Sequence, residues 1–156
     1  MAVRVQQDDF DVGVELERLA SGNSAIGAVV SFVGLVREFG GPLSTAPVKL
    51  SALELEHYPG MTERQLLAIE EEARRRWPLE ATLVVHRFGR LLPGERIVLV
   101  ATASSHREAA FAACNFLVDW LKTRAPFWKL EETATGRGWV AAKAGDELAA
   151  AAWIEK

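Results

Sequence analysis

The segment "LKTRAPFWKLE" at 121–131 sets Lys122, Arg124 and Lys129 among Pro126, Phe127 and Trp128. Lysines in folded domains sit mostly on solvated faces, and large aromatics sit mostly in cores. A lysine held against aromatic rings is partly desolvated, which lowers its pKa from the usual ~10.4 and suits it to give or take a proton. From the residues alone, Lys129 either does this or snorkels its stem over an apolar face to water. Lys122 falls near the end of a predicted helix, where the dipole favours a cation whatever else it does.

A second candidate is "SSHRE" at 104–108. Ser105 and Glu108 form a capping box that opens a helix over about 106–123 and places His106 and Arg107 in its first turn. Free N–H groups and the dipole already attract an anion there, so a bound phosphate would offset the poor placement of two cations. The alternative is an ordinary solvated helix start. Arg37 ends an apolar strand and begins a Gly/Pro/Ser/Thr loop, a place that is either unremarkable or ligand-holding. Cys114, among Ala and Phe on the helix, reads as a small buried hydrophobe. Ser104 and Ser105 beside His106 do not make a hydrolase, because adjacent residues cannot set a serine against an imidazole and no G-x-S-x-G elbow is present.

Metal binding is not expected. The one cysteine rules out an intrachain disulfide and a thiolate cluster, and His57, His86 and His106 are scattered without helical i, i+4 spacing. The net charge of −3 gives no general attraction for nucleic acid or anionic membrane. Residues 86–129 nevertheless carry seven Lys/Arg against three Asp/Glu, a local +4 that leaves −7 elsewhere. A basic region on an acidic protein points to a small anionic ligand or tail. The acidic, polar start "MAVRVQQDDF" is unlike a secretory signal, no apolar run nears the ~20 residues of a bilayer span, and a cytoplasmic setting is expected.

These residues need a scaffold, and the 156-residue length suits one domain over 1–156. "VRVQ" reads as a strand, "DFDVGVELERLA" as a short helix, and "GAVVSFVGLV" (27–36) as a buried strand. "REFGGPLSTAP" (37–47) should be an exposed loop, with a lid as one possible role. "KLSALELEHY" alternates as a half-buried strand. Thr62 and Gln65 cap a helix over about 62–76 whose Leu66, Ile69, Ala73 and Trp77 share a face. "ATLVVHRFG" and "RIVLVATAS" are strands joined by the turn "RLLPGE". Ala109, Ala113, Phe116, Leu117 and Trp120 give the next helix its core stripe, and Pro126 lies past its end. "FWKLEE" and "GWVAAK" form two last strands around "ATGRG", followed by a helix from Asp146. Without regular βαβ alternation, the class is α+β.

The stretches "GAVVSFVGLVR", "LELEHYPGMTE", "HRFGRLLPGE", "SSHREAAFAACNFLVDWLKTRAPFWKLE" and "WVAAK" together resemble the large, catalytic subunits of molybdopterin synthase, from about residue 26 to 143. "HYPGMTE" and "KTRAPFWK" are the specific ones. The resemblance implies an α/β-hammerhead-like fold with mixed or antiparallel sheet and flanking helices. It implies a central dimer of large subunits, each with a small ubiquitin-like sulfur carrier whose C-terminal Gly-Gly thiocarboxylate enters the large subunit. The implied substrate is cyclic pyranopterin monophosphate, with no resident cofactor. By match to the motifs, Lys122 is the essential residue and Lys129 assists. His106, Arg107 and Arg37 would hold the phosphate together with Lys143, which stands where the family often has arginine. Phe127 and Trp128 would position and partly desolvate the lysines, with core packing the expected role for Trp128. Two other readings compete: a non-catalytic module that captures the C-terminal tail of a ubiquitin-like protein, and a single-strand nucleic-acid binder using Trp128, which the net charge disfavours.

Overall fold

The computed structural model describes residues 2–40, 46–140 and 144–154. In chain order the elements are β1 (Val3–Gln6), α1 (Val12–Ala20), β2 (Ala28–Leu35), β3 (Phe39–Gly40), β4 (Val48–His57) and α2 (Met61–Arg76). They continue as β5 (Ala81–Arg87), β6 (Gly89–Leu91), β7 (Arg96–Ser104), α3 (Arg107–Thr123), β8 (Phe127–Thr133), β9 (Gly136–Val140) and α4 (Ala144–Ala151).

Two sheets result. The first runs β1-β5-β7-β2, with β1 parallel to β5 and the other pairs antiparallel. Every residue of β5 after Ala81 is buried, because helices cover both faces. Its Val84 turns to Leu66, Ile69 and Ala73 of α2 and to Phe116 and Leu117 of α3. Its Leu83 and Val85 turn the other way, to Phe10 and the α1 side chains Val12, Leu16 and Leu19. The second sheet, β3-β4-β8-β9 with β6 on β4, is antiparallel throughout. Val36, Leu53, Leu55 and Leu91 form a third apolar cluster with Phe88 and Ile97, which lie beside or within strands of both sheets. The α+β class stands.

Several expectations need correction. The 27–36 strand is an edge strand with Val29, Ser31 and Leu35 open, because α3 covers the face of Val30 and Phe32 and leaves the other face partly uncovered. α2 starts at Met61, not Thr62: Gly60 at φ +80° turns the chain, and Glu63 Oε2 accepts from the Gly60 N–H at 2.6 Å. The Thr62 hydroxyl accepts from Tyr58 N–H (3.1 Å) instead. "RLLPGE" is more than a turn, since Gly89–Leu91 pairs with Leu53–Leu55 of β4. In the 37–47 segment Phe39–Gly40 pairs with β4 and Gly40 is buried, while 41–45 lie outside the described residues, so the lid idea has no observation to rest on.

Helix α3 carries the aromatic core. Phe116 is fully buried, with Trp77, Trp153 and Trp120 centred 5.3, 5.6 and 5.8 Å away. Trp153 Nε1 donates to Asp119 Oδ2 at 2.7 Å, tying the chain end to α3.

Candidate functional site

The first site sits where β7 turns into α3. Gly27, Ala28, Ser105, His106, Arg107 and Glu108 line a cleft of about 440 Å³. Gly27 N–H donates to Ser104 O (3.0 Å), and a Cβ on Gly27 would fall 2.3 Å from Ser105 O, so only glycine lets the backbones approach this closely. His106 is the N-cap of α3 in extended conformation, and its side chain makes no capping bond. The expected Ser105/Glu108 box is absent. Ser104 Oγ instead accepts from His106 N–H (3.3 Å) and donates to Pro78 O (2.7 Å). His106 therefore precedes the first turn and Arg107 opens it, both exposed beside helix N–H groups that no cap side chain occupies. An anion suits this end.

The second site lies at the other end of α3. Lys122 is exposed in its last turn, and its Nζ is 3.8 Å from Asp146 Oδ1 of α4. Residues 124–126 bend the chain into β8, where Lys129 is exposed as well. Trp128 does not pack in the core: it is 40% exposed and meets Tyr58 edge-on at 4.5 Å, both lining a smaller outer cleft of about 250 Å³ with Glu56, His57 and Trp139. Phe127 does go inward, stacked on the His86 ring at 3.7 Å and 15°. Lys129 is thus neighboured on one side of the chain by an outward tryptophan and flanked on the sheet face by Phe127, without the burial expected of it.

One protomer does not bring all the expected residues together. Arg107 and Lys122 are 15 residues apart on one helix, about 22 Å at 1.5 Å per residue. Arg37 follows β2, whose start forms the first cleft, so it too lies some 30 Å from Gly27 along an extended chain. Leu35 pairs with Arg96 at the far end of β7, and α3 returns over β7 and β2 toward that end. Arg37 and Lys122 are therefore carried to the same end of the sheet, away from His106 and Arg107. Lys143 lies outside the described residues.

Of the seven cations of 86–129, Arg87, Arg90 and Arg96 are held in ion pairs within the fold. Arg87 is 7% exposed and lies 3.7 Å from Asp9 and 3.8 Å from Glu95. Arg96 meets Asp9 at 2.5 Å, and Arg90 meets Glu132 at 3.5 Å. Arg96 beside Asp9 holds that carboxyl down to about 2. Cys114 is 4% exposed, and burial pushes its thiol up to about 11, which confirms it as inert core.

Two residues escape reasoning from sequence. His57 and His86 look scattered along the chain, yet both rings meet Phe127, at 6.2 and 3.7 Å. Each closes an apolar strand just before a turn, which is the one signal the sequence offers. His86 Nδ1 lies 2.8 Å from Arg87 O, which only accepts, so that nitrogen carries the proton. Burial first, then the nearby charges of Lys129 and His57, push the His86 pKa down to about 4. Among the described residues no group of three His, Cys, Asp or Glu side chains could hold a metal.

The MoaE protein family matches residues 5–124. The chain is 54% identical over 153 residues to a molybdopterin synthase catalytic subunit of Cereibacter sphaeroides, covering 98% of this chain and 100% of that one. It is similar to the solved structure of a molybdopterin biosynthesis MoaE protein from Burkholderia ambifaria MC40-6, with TM-score 0.81, 51% identity and 99% of each chain covered. The same fold recurs at 18% identity, TM-score 0.72 and 92% coverage of each chain, in a complex of subunits 1 and 2 of molybdopterin-converting factor from Helicobacter pylori 26695.

Proposed function

The chain belongs to the MoaE family of molybdopterin synthase catalytic subunits, and from that premise we propose which of its residues perform the sulfur transfer. The donor is the C-terminal thiocarboxylate of a small ubiquitin-like carrier subunit, and the acceptor is cyclic pyranopterin monophosphate. Both are anions. At ~4 Å their repulsion is roughly 4 kcal/mol at an effective dielectric of 20, so the site must supply compensating positive charge.

Lys122 is the residue that faces the reacting centre, and Lys129 assists it by proton transfer or fixed charge. One observation carries this assignment: the two lysines stand exposed on either side of the 124–126 bend, which Thr62 Oγ1 holds by donating to Pro126 O at 3.4 Å. "HYPGMTE" therefore braces "KTRAPFWK", and a loop end becomes a fixed platform. The same cations stabilise the oxyanion formed when water releases the carrier's acyl group.

His106 and Arg107, with the free N–H groups of α3, hold the phosphate. Their ~22 Å separation from Lys122 on one helix supports a site shared between two copies, the cleft of one serving the lysines of the other. Arg37 and Lys143 complete the anion contacts. A central dimer of this chain, with one carrier at each outer end, accommodates that arrangement. Among the described residues no helix is long and apolar enough to cross a membrane.

The test is single-turnover conversion of cyclic pyranopterin monophosphate by wild type and Lys122→Ala with thiocarboxylated carrier. Product from wild type and almost none from the variant, with carrier binding retained, is the expected result. Normal turnover in the variant removes Lys122 from the mechanism. Tight carrier binding without turnover by either protein favours the tail-capture module instead.

A further inference from the structure

The imidazoles of His57 and His86 are an unassigned pair beside an assigned lysine. In the antiparallel register of β4 and β8, His57 faces Phe127 and Leu55 faces Lys129. Side chains two apart on a strand share a face, so His57, Leu55, Phe127 and Lys129 all project to the same side of the sheet. His57 is diagonal to Lys129, a spacing of ~7–8 Å between their backbones that long side chains readily bridge. Leu55 beneath them is 1% exposed, so this face is dry at its base.

The His57 ring is held from several directions. Phe88 lies 4.3 Å from it at 43°, and Phe127 lies 6.2 Å away at 30°. Glu63 Oε1 of α2 lies 3.8 Å from its Nε2, and only 9% of the side chain is exposed. Glu63 is itself fixed, because its other oxygen takes the Gly60 N–H at 2.6 Å. At 3.8 Å the Glu63 carboxylate is a polar neighbour of the ring rather than a hydrogen-bond partner, a neighbour that phenylalanine or leucine packed in the same place could not use. Behind it, His86 stacks on Phe127 at 3.7 Å while His57 lies 6.2 Å from the same ring, so Phe127 links both imidazoles on the face that Lys129 shares.

We propose that His57, oriented by Glu63 and by the Phe88 and Phe127 rings, is a positioning residue for Lys129 that fixes the path of the lysine stem across the sheet face. His57 acts through Lys129 and does not touch the substrate. The inference rests on the role assigned to Lys129 above and adds the device that makes an exposed, flexible side chain usable in catalysis. Its value follows from the geometry: a reacting group misplaced by ~1 Å loses about 10²-fold in rate.

The experiment is a double-mutant cycle in the single-turnover assay, using wild type, His57→Ala, Lys129→Ala and the double variant, with carrier affinity measured for each. His57→Ala should lower the rate roughly 10- to 100-fold while carrier affinity stays within about threefold, and His57→Gln should recover part of the loss. Adding His57→Ala to Lys129→Ala should cost nothing further, because the group that His57 positions is already gone. Multiplying losses, or a wild-type rate in His57→Ala, overturn the proposal. Should the alanine variant fail to fold, the same cycle run with His57→Leu, which keeps the apolar packing and removes the ring nitrogens, gives the same two readings. A wild-type rate in Lys129→Ala alone overturns the role of Lys129 and the proposal with it, and that failure is read from a different protein.

Discussion

At pH 7.5 the His86 imidazole is neutral, and acidifying the solution should destabilise the fold through this one ring. Its pKa falls from 6.5 to about 4 on folding, because burial penalises the charged form. Below pH 6.5 the unfolded chain binds a proton that the folded chain refuses, so the stability present above 6.5 is lost as pH falls toward 4. At pH 5 the loss is about 2 kcal/mol, since each pH unit below 6.5 removes about 1.36 kcal/mol once the unfolded imidazole is protonated and the folded one is not. For a protein of this size that lowers Tm by about 4–8 °C. The measurement is a pair of thermal melts at pH 7.5 and 5.0 for wild type and His86→Gln at constant ionic strength. The variant starts less stable, having lost the Phe127 stack, but its decline between the two pH values should be smaller by about 2 kcal/mol. Equal declines in both proteins would refute the reasoning and move the acid sensitivity elsewhere.

Two further substitutions probe the scaffold. Gly27→Ala puts a Cβ 2.3 Å from the Ser105 carbonyl oxygen, and neither backbone can yield cheaply; about 1–3 kcal/mol is lost, seen by calorimetry as a Tm drop of roughly 2–12 °C, and an unchanged Tm would show that the β2 edge gives way freely. Phe116→Ala empties the centre of the Trp77, Trp120 and Trp153 cluster and should cost ~3–5 kcal/mol in urea unfolding at unchanged m-value, with altered tryptophan emission as a second readout.

Much of the fold is legible in the sequence because period tells where side chains point. Leu83 and Val85 against Val84, or Leu66, Ile69 and Ala73 on one stripe, follow from counting residues. What escapes is whatever depends on a distant partner. Gly89–Leu91 becomes a strand only because β4 offers its edge, and the 27–36 segment has the composition of an interior strand while lying at the sheet margin. The same holds at the site. Lys122, Lys129, His106 and Arg107 stand out by type and motif, and the predicted 106–123 helix already sets Lys122 at the opposite end from His106 and Arg107; what escapes is the outward turn of Trp128 onto Tyr58. His57 and His86 are 29 positions distant along the chain and meet only through Phe127, a third strand's contribution. Arg87 and Arg96 are legible as charge but not as salt bridges, since their shared partner Asp9 lies near the other end of the sequence.

Helix α3 starts at the cleft beside Gly27 and ends at Lys122, which bears on how the chain can change length. Adding or deleting one residue within 107–123 shifts Lys122 by about 1.5 Å and turns it by about 100° around the axis. It also turns Phe116 or the Ala109–Ala113 ridge away from the core, so a length change here costs core packing. The exposed Ala134–Thr135 turn between β8 and β9 is under no such constraint. A tag or linker should be tolerated there, whereas the residue count of α3 sets the distance between the cleft at its start and Lys122 at its end.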